Sequence, residues 1–431
     1  MRLFAACVCA VIGVGLSSCG SSGSGSGSVT PPDAGVGAGV DAGTGAGGTD
    51  AGVTDAGVTD AGTGGGGADA GTIASDCDGL LPPSPGAPSQ FRWEKQDLSQ
   101  TSGGTCKPAE SDGTGHIALY WQNSFQPGDS RYRFIDSSTG AAVGSYTGTG
   151  LRLIGQASGF IGSECAGAAC FQDYVVLDPA GKQLYKSPVT QSGGAQANDP
   201  TGGMVHVRYS QSSAGTIVLL DAIDAAGAIR WTRSLPDLFP RKPGVALGVD
   251  RKGDVLALWP GNQTPPATYS GQWFDRFGTA GPVFQALSGT SPAKFFERVG
   301  DGLFLAGGPS ASGWLGQFEP LATSISPPPA WLTAHPNSSL HIVHGGRGYA
   351  VLPLPGTSPS CQQAVDVISP SGKTCGSSTF PVGGGSCATS SIVVGYDGTV
   401  VQQLPREREA ACIAADHICD CTYRYWAGYF R

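Results

Sequence analysis

The sequence predicts an all-β fold that repeats one small unit of strands and tight turns. Of the 431 residues, 69 are Gly and 31 are Pro, whereas only 2 are Met and 13% are charged. This composition is too rich in turn-forming residues and too poor in charge for a helical protein. Turn signals also recur along most of the chain. Because repeat folds grow by adding units, a chain of this length is compatible with one domain.

One turn phrase recurs in which an apolar strand end is followed by an acidic or small residue and then, a few residues later, by a glycine. Asp suits the first position of a tight turn, and Gly tolerates the positive φ with which such turns close. Each copy therefore indicates a strand, a turn and a second strand. The copies are Phe134–Gly140, Val176–Gly181, Ala222–Gly227, Trp273–Gly278 and Val367–Gly372, with Gln317–Ala322 as a decayed copy.

A second family of turns lies between these copies, and alternating apolar strands such as His116–Trp121 and Asp254–Trp259 follow its members. Alternation with a period of two predicts half-buried strands, so each repeat contains two hairpins and four strands, with this second turn family between strands one and two and the first family between strands three and four. The members of the second family are residues 111–115, 157–159, 213–215, 250–253, 300–302, 346–348 and 396–398.

Four strands every ~40–55 residues are typical of a propeller blade. Counting the first hairpins predicts a seven-bladed β-propeller of four-stranded blades; six blades, or a sandwich of similar strands, remain alternatives. Phe91–Gln96 is expected to complete the last blade, because ring closure removes exposed strand edges. The chain from about residue 90 to 431 resembles secreted bacterial β-propeller repeat proteins, a resemblance that implies the fold far more than any function.

The N-terminus carries targeting signals. Arg2, an apolar run from Leu3 to Val14 and then Leu16-Ser17-Ser18-Cys19 resemble the signal peptide and lipobox of bacterial lipoproteins. The resemblance implies cleavage before Cys19, acylation of Cys19 and attachment to the outer membrane, in either leaflet. We therefore expect a signal peptide over 1–19, a disordered Gly/Ala/Asp/Ser tether over 20–75 and the propeller over 76–431.

The negative charge lies largely in the tether. The formal net charge is -8, but residues 20–75 hold six Asp and no Lys or Arg. Without these residues and Arg2, the chain has 24 basic and 27 acidic residues. Such a balance gives no electrostatic reason to expect nucleic acid as a partner.

Ten cysteines besides Cys19 remain in the expected mature chain, an even number that predicts disulfides in an oxidising compartment. Cys165 with Cys170, Cys361 with Cys375, and Cys77 with Cys106 are plausible pairs by spacing. Cys387, Cys412, Cys419 and Cys421 cannot be paired from the sequence. Cys412, His417, Cys419 and Cys421 form an alternative metal site, but their spacing lacks the paired Cys-x-x-Cys of structural zinc, so no metal is expected.

Long loops between the short turns are expected on one face of the disc, where a rigid scaffold usually carries its binding surface. The candidates for that surface are Trp331, His335, Arg241, Lys242, Asn198, Asp199 and Asp129. His206 and His341 are expected on innermost strands near the central channel, as polar lining.

The sequence contains no nucleophile elbow, no His-Glu-x-x-His and no phosphate-binding loop. It therefore favours an envelope binding or scaffold protein without a cofactor. Its expected partners are the membrane, through the N-terminal lipid, and an envelope protein or polysaccharide. The alternative is an extracellular hydrolase or lyase whose catalytic residues converge at the channel mouth from several blades.

Overall fold

The computed structural model describes the propeller part of the chain with gaps, and all described residues lie in a unit spanning Ala74–Arg431. The predicted signal peptide, tether and lipidation site lie outside the described residues. The described residues are 76–80, 91–97, 105–106, 110–122, 129–149, 152–156, 158–166, 171–187, 194–239, 242–261, 268–289, 291–308, 313–343, 347–353, 363–380, 391–395, 400–405 and 421–426.

The described strands form seven antiparallel sheets, numbered here along the chain. Sheet one contains β2 (Thr105–Cys106), β3 (Glu110–Ser111), β4 (His116–Gln122), β5 (Asp129–Asp136) and β6 (Ala142–Thr149). Sheet two contains β7 (Arg152–Gly155), β8 (Phe160–Ala166), β9 (Phe171–Leu177) and β10 (Gln183–Lys186). Sheet three contains β11 (Gln196–Asn198), β12 (Met204–Ser212), β13 (Gly215–Ile223) and β14 (Ile229–Phe239).

Sheet four contains β15 (Ala246–Val249), β16 (Val255–Pro260), β17 (Thr268–Phe274) and β18 (Phe284–Ser288). Sheet five contains β19 (Pro292–Glu297), β20 (Leu303–Gly307) and β21 (Trp314–Phe318), and is followed by the helix α1 (Ala330–Thr333). Sheet six contains β22 (Ser338–Val343), β23 (Gly348–Pro353), β24 (Gln363–Ile368) and β25 (Thr374–Phe380). Sheet seven contains β26 (Ser391–Val394), β27 (Val400–Pro405), β28 (Cys421–Trp426) and β1 (Phe91–Asp97).

The sheets follow one another around a ring, because each hydrophobic cluster combines residues of two consecutive sheets. Phe134 of sheet one packs on Phe160 of sheet two, with ring centroids 5.1 Å apart. Five further clusters join sheets two to three, three to four, four to five, five to six and six to seven. The innermost strand of sheet seven, β26, lies beside β3 of sheet one. The fold is therefore an all-β propeller, and the alternative of a two-sheet sandwich is wrong.

The N-terminal strand closes the ring, as the sequence predicts. β1 pairs antiparallel with β28, with Glu94 opposite Arg424 and Gln96 opposite Thr422. β1 thus becomes the outermost strand of a sheet whose other three strands come from the C-terminal end of the described chain. This pairing covers an edge of β28 that would otherwise be open to another chain.

The expected count of seven four-stranded blades is wrong, because sheet five has three strands. Six sheets have four or more strands, which matches the alternative of six blades. After β21, Ser326 forms only an isolated bridge with Gln317, and Pro327–Pro329 follow. Proline has no N–H to donate to a strand ladder, so the segment continues into α1 instead of a fourth strand.

The hairpins between third and fourth strands are confirmed. In residues 178–181, the N–H of Gly181 donates to the carbonyl of Asp178 at 2.9 Å, and Gly181 has a φ of 84°. Gly181 also lies against the preceding sheet, since a Cβ there would come within 2.1 Å of the Phe134 ring. Gly372 lies against Trp331 in the same way, at 2.2 Å. These turns therefore need glycine both for the backbone and for packing between sheets.

One hairpin of the second turn family is misassigned. The sequence places residues 213–215 between a first and a second strand, but this turn joins β12 to β13, the second and third strands. The first hairpin of sheet three is instead the turn from Asp199 to Gly203, which joins β11 to β12. The short strand β11 lies in a stretch that the sequence suggests is a long loop, because Gln196-Ala-Asn198 shows no apolar alternation.

Polar side chains after the innermost strands tie neighbouring sheets together. Asp112 accepts the N–H of Gly159 in sheet two at 3.1 Å, and Gln156 accepts the N–H of Gly203 in sheet three at 2.9 Å. Asp112 and Gln156 are both fully buried. These hydrogen bonds hold the inner strands in register with one another around the axis.

A disulfide joins Cys77 to Cys375, with the two Cα atoms 5.2 Å apart. The expected pairs of Cys77 with Cys106 and of Cys361 with Cys375 are therefore wrong. The pairing follows from the path of residues 76–80 along sheet six, where Asp76 accepts hydrogen bonds from Ser369 and Ser371. Leu80 is buried in the cluster of sheets six and seven. The side chains or backbones of the other candidate cysteines lie outside the described residues.

A candidate ligand cavity on the propeller axis

The innermost strands surround a cavity of about 220 Å³ on the axis of the ring. Each of the seven sheets contributes residues of its innermost strand to the wall. Most of the wall is apolar, with Leu247, Phe295 and Ile342 among its members. A concave, largely apolar space with a few polar groups is the usual form of a small-molecule site.

Four titratable side chains from three sheets line this cavity: Glu110 on β3, Lys294 and Glu297 on β19, and His341 on β22. The last residues of these strands are Ser111, Glu297 and Val343, as their pairing with the second strands shows. Glu110, His341 and Lys294 thus lie one, two and three residues before the strand ends. With about 3.3 Å of rise per residue, Glu110 and Lys294 differ in depth by roughly 7 Å.

The surroundings of these groups change their pKa values. Burial raises the pKa of Glu110 to about 8, against the opposing effects of the Gly155 N–H, which donates to its carboxylate, and of Lys294. Burial lowers the pKa of His341 to about 4, and Lys294 lowers it further. Burial also lowers the pKa of Lys294, against the effect of Glu110. At neutral pH, Glu110 therefore largely keeps its proton and His341 is neutral.

Lys294 and Glu110 have no ion-pair partner among the described residues. The Nζ of Lys294 lies 4.9 Å from the centre of the Phe296 ring, a cation–π distance. Lys294 lies inside the ring but keeps much of its surface open to the channel, so water there screens its charge. Gln196 also lines the cavity, and its buried Oε1 has no hydrogen-bond partner in the described part of the chain.

We expect Glu110→Gln to stabilise the ligand-free protein at pH 8 but not at pH 5. The folded pKa of about 8 exceeds the unfolded value of 4.5, so the wild type loses stability as pH rises through this interval, and the amide does not. The expected gain at pH 8 is about 2 kcal/mol, below the full linkage value because channel water screens the carboxylate. Urea unfolding at both pH values measures it. An equal effect at the two pH values would contradict the raised pKa.

Of the side chains predicted to form a binding face, two belong to the first hairpin of sheet three and its strand. Asn198 lies on β11, lines the cavity and donates to the carbonyl of Gly155 at 3.1 Å. Asp199 is fully buried and accepts hydrogen bonds from Thr201 and Arg230. Its assignment to an exposed loop is wrong, because the residue closes a turn rather than facing solvent.

Trp331 and His335 are half-buried residues that pack against sheet six. The Trp331 ring lies 4.9 Å from Tyr349 and 5.9 Å from Phe304. His335 contacts the carbonyl of Trp331 at 2.8 Å and Asp366 of sheet six at 3.2 Å. Trp331 occupies the position against the next sheet's turn glycine that Trp231 of β14 occupies against Gly278. The segment around α1 therefore supplies the packing that the missing fourth strand would provide.

The remaining candidates do not form a cluster that the structure describes. Lys242 is exposed and lies 5.5 Å from the centre of the Tyr209 ring. Arg241 and the side chain of Asp129 lie outside the described residues. The sequence analysis missed Glu110, Lys294 and Gln196, which carry the polar character of the cavity. The feature that could have identified these three residues is their position, one to three residues before the end of an innermost strand.

His341 lies on an innermost strand as predicted, but His206 does not. His206 lies on β12, a second strand, where it is fully buried, 3.8 Å from Asp221 and 4.6 Å from the centre of the Tyr174 ring. Burial lowers its pKa to about 4, against the opposing effect of Asp221. His206 is thus a structural residue between sheets two and three.

Acidification is expected to destabilise the fold through His206. Its folded pKa of about 4 lies below the unfolded value of 6.5, so stability present above pH 6.5 is lost as pH falls through 4. The shift corresponds to about 3 kcal/mol. Unfolding of the wild type and of the partly exposed control His116→Gln should show this slope, and unfolding of His206→Gln should not. A slope retained in His206→Gln would contradict the assignment.

Among the described residues, no group of three or more His, Cys, Asp or Glu is arranged to hold a metal ion. The alternative metal site at Cys412, His417, Cys419 and Cys421 lies outside the residues whose side chains are described. In the same part of the chain, no helix is long and apolar enough to cross a membrane.

Comparison with known proteins gives a distant likeness only. No protein-family model and no curated protein matches the chain. The β-propeller domain of the Trilobed protease from Pyrococcus furiosus is similar at 8% identity and a TM-score of 0.44, over 70% of this chain and 91% of that one. A catalytically inactive virginiamycin B lyase from Staphylococcus aureus, solved with quinupristin, is similar at 12% identity and a TM-score of 0.40, over 78% and 99%.

Quinohemoprotein alcohol dehydrogenase from Comamonas testosteroni is similar at 11% identity and a TM-score of 0.35, over 73% of this chain and 65% of that one. At these scores the likenesses carry no argument about function. The propeller assignment therefore depends on the strand pairing and on the clusters that join consecutive sheets.

Proposed function

We propose that this chain is a lipid-anchored cell-envelope protein that binds a small ligand in the axial cavity of its propeller. The observation that carries the proposal is the meeting of Glu110, Lys294 and His341, from three separate sheets, in one axial cavity. The interlocked inner strands provide a rigid support for such a site, and a preorganised site loses little free energy on binding.

The arrangement favours binding over catalysis. Within the described part of the chain, no hydrogen bond joins Glu110, Lys294 and His341 to one another or to a Ser or Cys nucleophile. Nucleophilic catalysis needs a base within hydrogen-bond reach of the nucleophile. An apolar wall with separated polar groups instead suits recognition of a ligand by its shape and charges.

Membrane attachment is proposed from the lipobox at Cys19. The test is phase separation in Triton X-114 and labelling of cells with an alkyne fatty acid, for the full chain and for Cys19→Ser. The wild type is expected in the detergent phase with label, and Cys19→Ser in the aqueous phase without it. An unlabelled wild type in the aqueous phase would refute the anchor and leave the cavity proposal intact.

Ligand binding is tested by native mass spectrometry of the full chain purified from its envelope. Val393→Trp fills the cavity, which Val393 lines, while Val143→Trp adds the same volume at an exposed site on β6. We expect a bound small molecule in the wild type and in Val143→Trp, and none in Val393→Trp. Absence of a bound molecule from the wild type, or its retention in Val393→Trp, would refute a site in the cavity.

A second candidate function is an extracellular hydrolase or lyase with its site at the channel mouth. It is favoured by Glu110, because a carboxyl group with a pKa of about 8 can act as a general acid at neutral pH. The test is a panel of chromogenic polysaccharides incubated with wild type and Glu110→Gln. Turnover by the wild type that Glu110→Gln abolishes would establish the enzyme, and turnover by neither would exclude it for this class of substrate.

A further inference from the structure

Basic and acidic side chains line the cavity at different depths. Lys294 lies toward the beginning of the innermost strands, whereas Glu110 and Glu297 lie near their ends, at the side of the first hairpins. His341 lies between these levels. Along the direction of the innermost strands, the titratable residues of the cavity are thus Lys294 first, then His341, and then the carboxyl groups of Glu110 and Glu297.

Lys294 and Glu110 share the cavity but make no direct ion pair. They are close enough that Lys294 lowers the pKa of Glu110 and Glu110 raises the pKa of Lys294. Lys294 is open to the channel, so a ligand carboxylate can reach it, while a ligand ammonium group beside the largely protonated Glu110 would favour the ionised form of that carboxyl group. The two groups therefore favour a ligand with one charge of each sign.

We propose that the cavity binds a small zwitterion, with its carboxylate toward Lys294 and His341 and its ammonium group toward Glu110 and Glu297. This inference rests on the proposed function and names the ligand class of the same site. The two ends of the ligand are expected to be separated, because the levels of Lys294 and Glu110 differ by roughly 7 Å. A linear amino acid with terminal charges fits that separation better than an α-amino acid.

Ligands with a single charge fit the cavity less well. A simple anion would pair with Lys294 but leave its apolar end beside the two carboxyl groups. A simple cation would pair with a carboxylate but leave the Lys294 charge without a partner. The volume of about 220 Å³ also favours a small molecule, because an engineered cavity of roughly 150 Å³ holds benzene.

The test is isothermal titration of the full chain at pH 7 with three probes of matched length: 5-aminopentanoate, pentanoate and pentylamine. Norvaline, an α-amino acid of the same size, tests the charge separation. We expect 5-aminopentanoate to bind at least about tenfold more tightly than each of the other three. Equal affinity for pentanoate and 5-aminopentanoate, or no binding of 5-aminopentanoate, would overturn the proposal.

Variants connect the affinity to the two charges. Lys294→Met and Glu110→Gln are each expected to weaken binding of 5-aminopentanoate by about tenfold or more. The control Lys182→Met, which removes an exposed lysine of sheet two, should bind like the wild type. Thermal unfolding establishes that each variant is folded. Unchanged affinity in folded Lys294→Met and Glu110→Gln would refute the assigned contacts.

Proton release gives a readout that a purely structural role would not produce. The ammonium group of the ligand favours the charged form of Glu110, so binding at pH 7 should release up to one proton. Titration in two buffers of different ionisation enthalpy measures this release, which Glu110→Gln should abolish. The two proposals can fail separately. If the wild type carries a molecule from the envelope that Val393→Trp lacks, but no zwitterion binds, the ligand class is wrong and the proposed function stands.

Discussion

Replacing Cys77 and Cys375 together by serine is expected to lower the free energy of unfolding by about 5 kcal/mol under oxidising conditions. The disulfide joins residues 298 positions apart, and a cross-link that closes a long loop removes much of the unfolded chain's entropy. It also fixes residues 76–80 on sheet six, where Leu80 is buried. Urea unfolding of both proteins measures the loss.

The reducing agent provides the matched control for this prediction. Dithiothreitol should destabilise the wild type toward the level of the double variant and should have a much smaller effect on the variant. A double variant as stable as the oxidised wild type would contradict the assigned role of the bond.

Phe134→Ala is expected to cost about 3–5 kcal/mol of stability, the range for removing a buried aromatic side chain. Phe134 is fully buried, packs on Phe160 of the next sheet and lies against the turn glycine Gly181. The change therefore leaves a cavity at the junction of sheets one and two. Chemical unfolding monitored by far-ultraviolet circular dichroism measures it.

The control is Phe277→Ala, which removes the same side chain from a turn where it is 67% exposed. Exposed substitutions away from special features usually change stability by no more than about 0.5 kcal/mol. Equal losses in the two variants would show that Phe134 does not join the sheets as the structure indicates.

The turn chemistry predicts most of the fold because it is local. An Asp followed by a Gly in a short turn fixes a hairpin without reference to the rest of the chain, as residues 178–181 and 224–227 show. The closure by β1 was also predictable, since the last unit lacked a strand and a spare one precedes the first unit. The turn sequences and the spare N-terminal strand together predict the order of the strands.

The departures from the prediction depend on contacts between distant residues. The turn sequence Gln317–Ala322 predicts a fourth strand in sheet five, but Pro327–Pro329 follow it and the sheet ends at three strands. The pairing of Cys77 with Cys375 could not be deduced from spacing, because it depends on where residues 76–80 lie against sheet six. Asn198 and Asp199 were assigned to a loop because β11 is too short to show an alternating pattern.

The polar residues of the cavity were the hardest to predict. Glu110, Lys294 and His341 belong to sheets one, five and six and meet only because the ring closes. No linear motif connects residues that a propeller brings together across its axis. Their positions become informative once the ends of the innermost strands are known.

The most direct test of the shared cavity is the pKa of Glu110, followed by NMR of the full chain labelled with ¹³C at glutamate carboxyl groups. Glu110→Gln assigns the resonance. The predicted pKa is about 8 in the wild type and higher in Lys294→Met, because the neighbouring ammonium group favours the carboxylate. An ordinary glutamate pKa in both proteins would contradict the account, since Glu110 would then be neither desolvated nor close to Lys294 on the propeller axis.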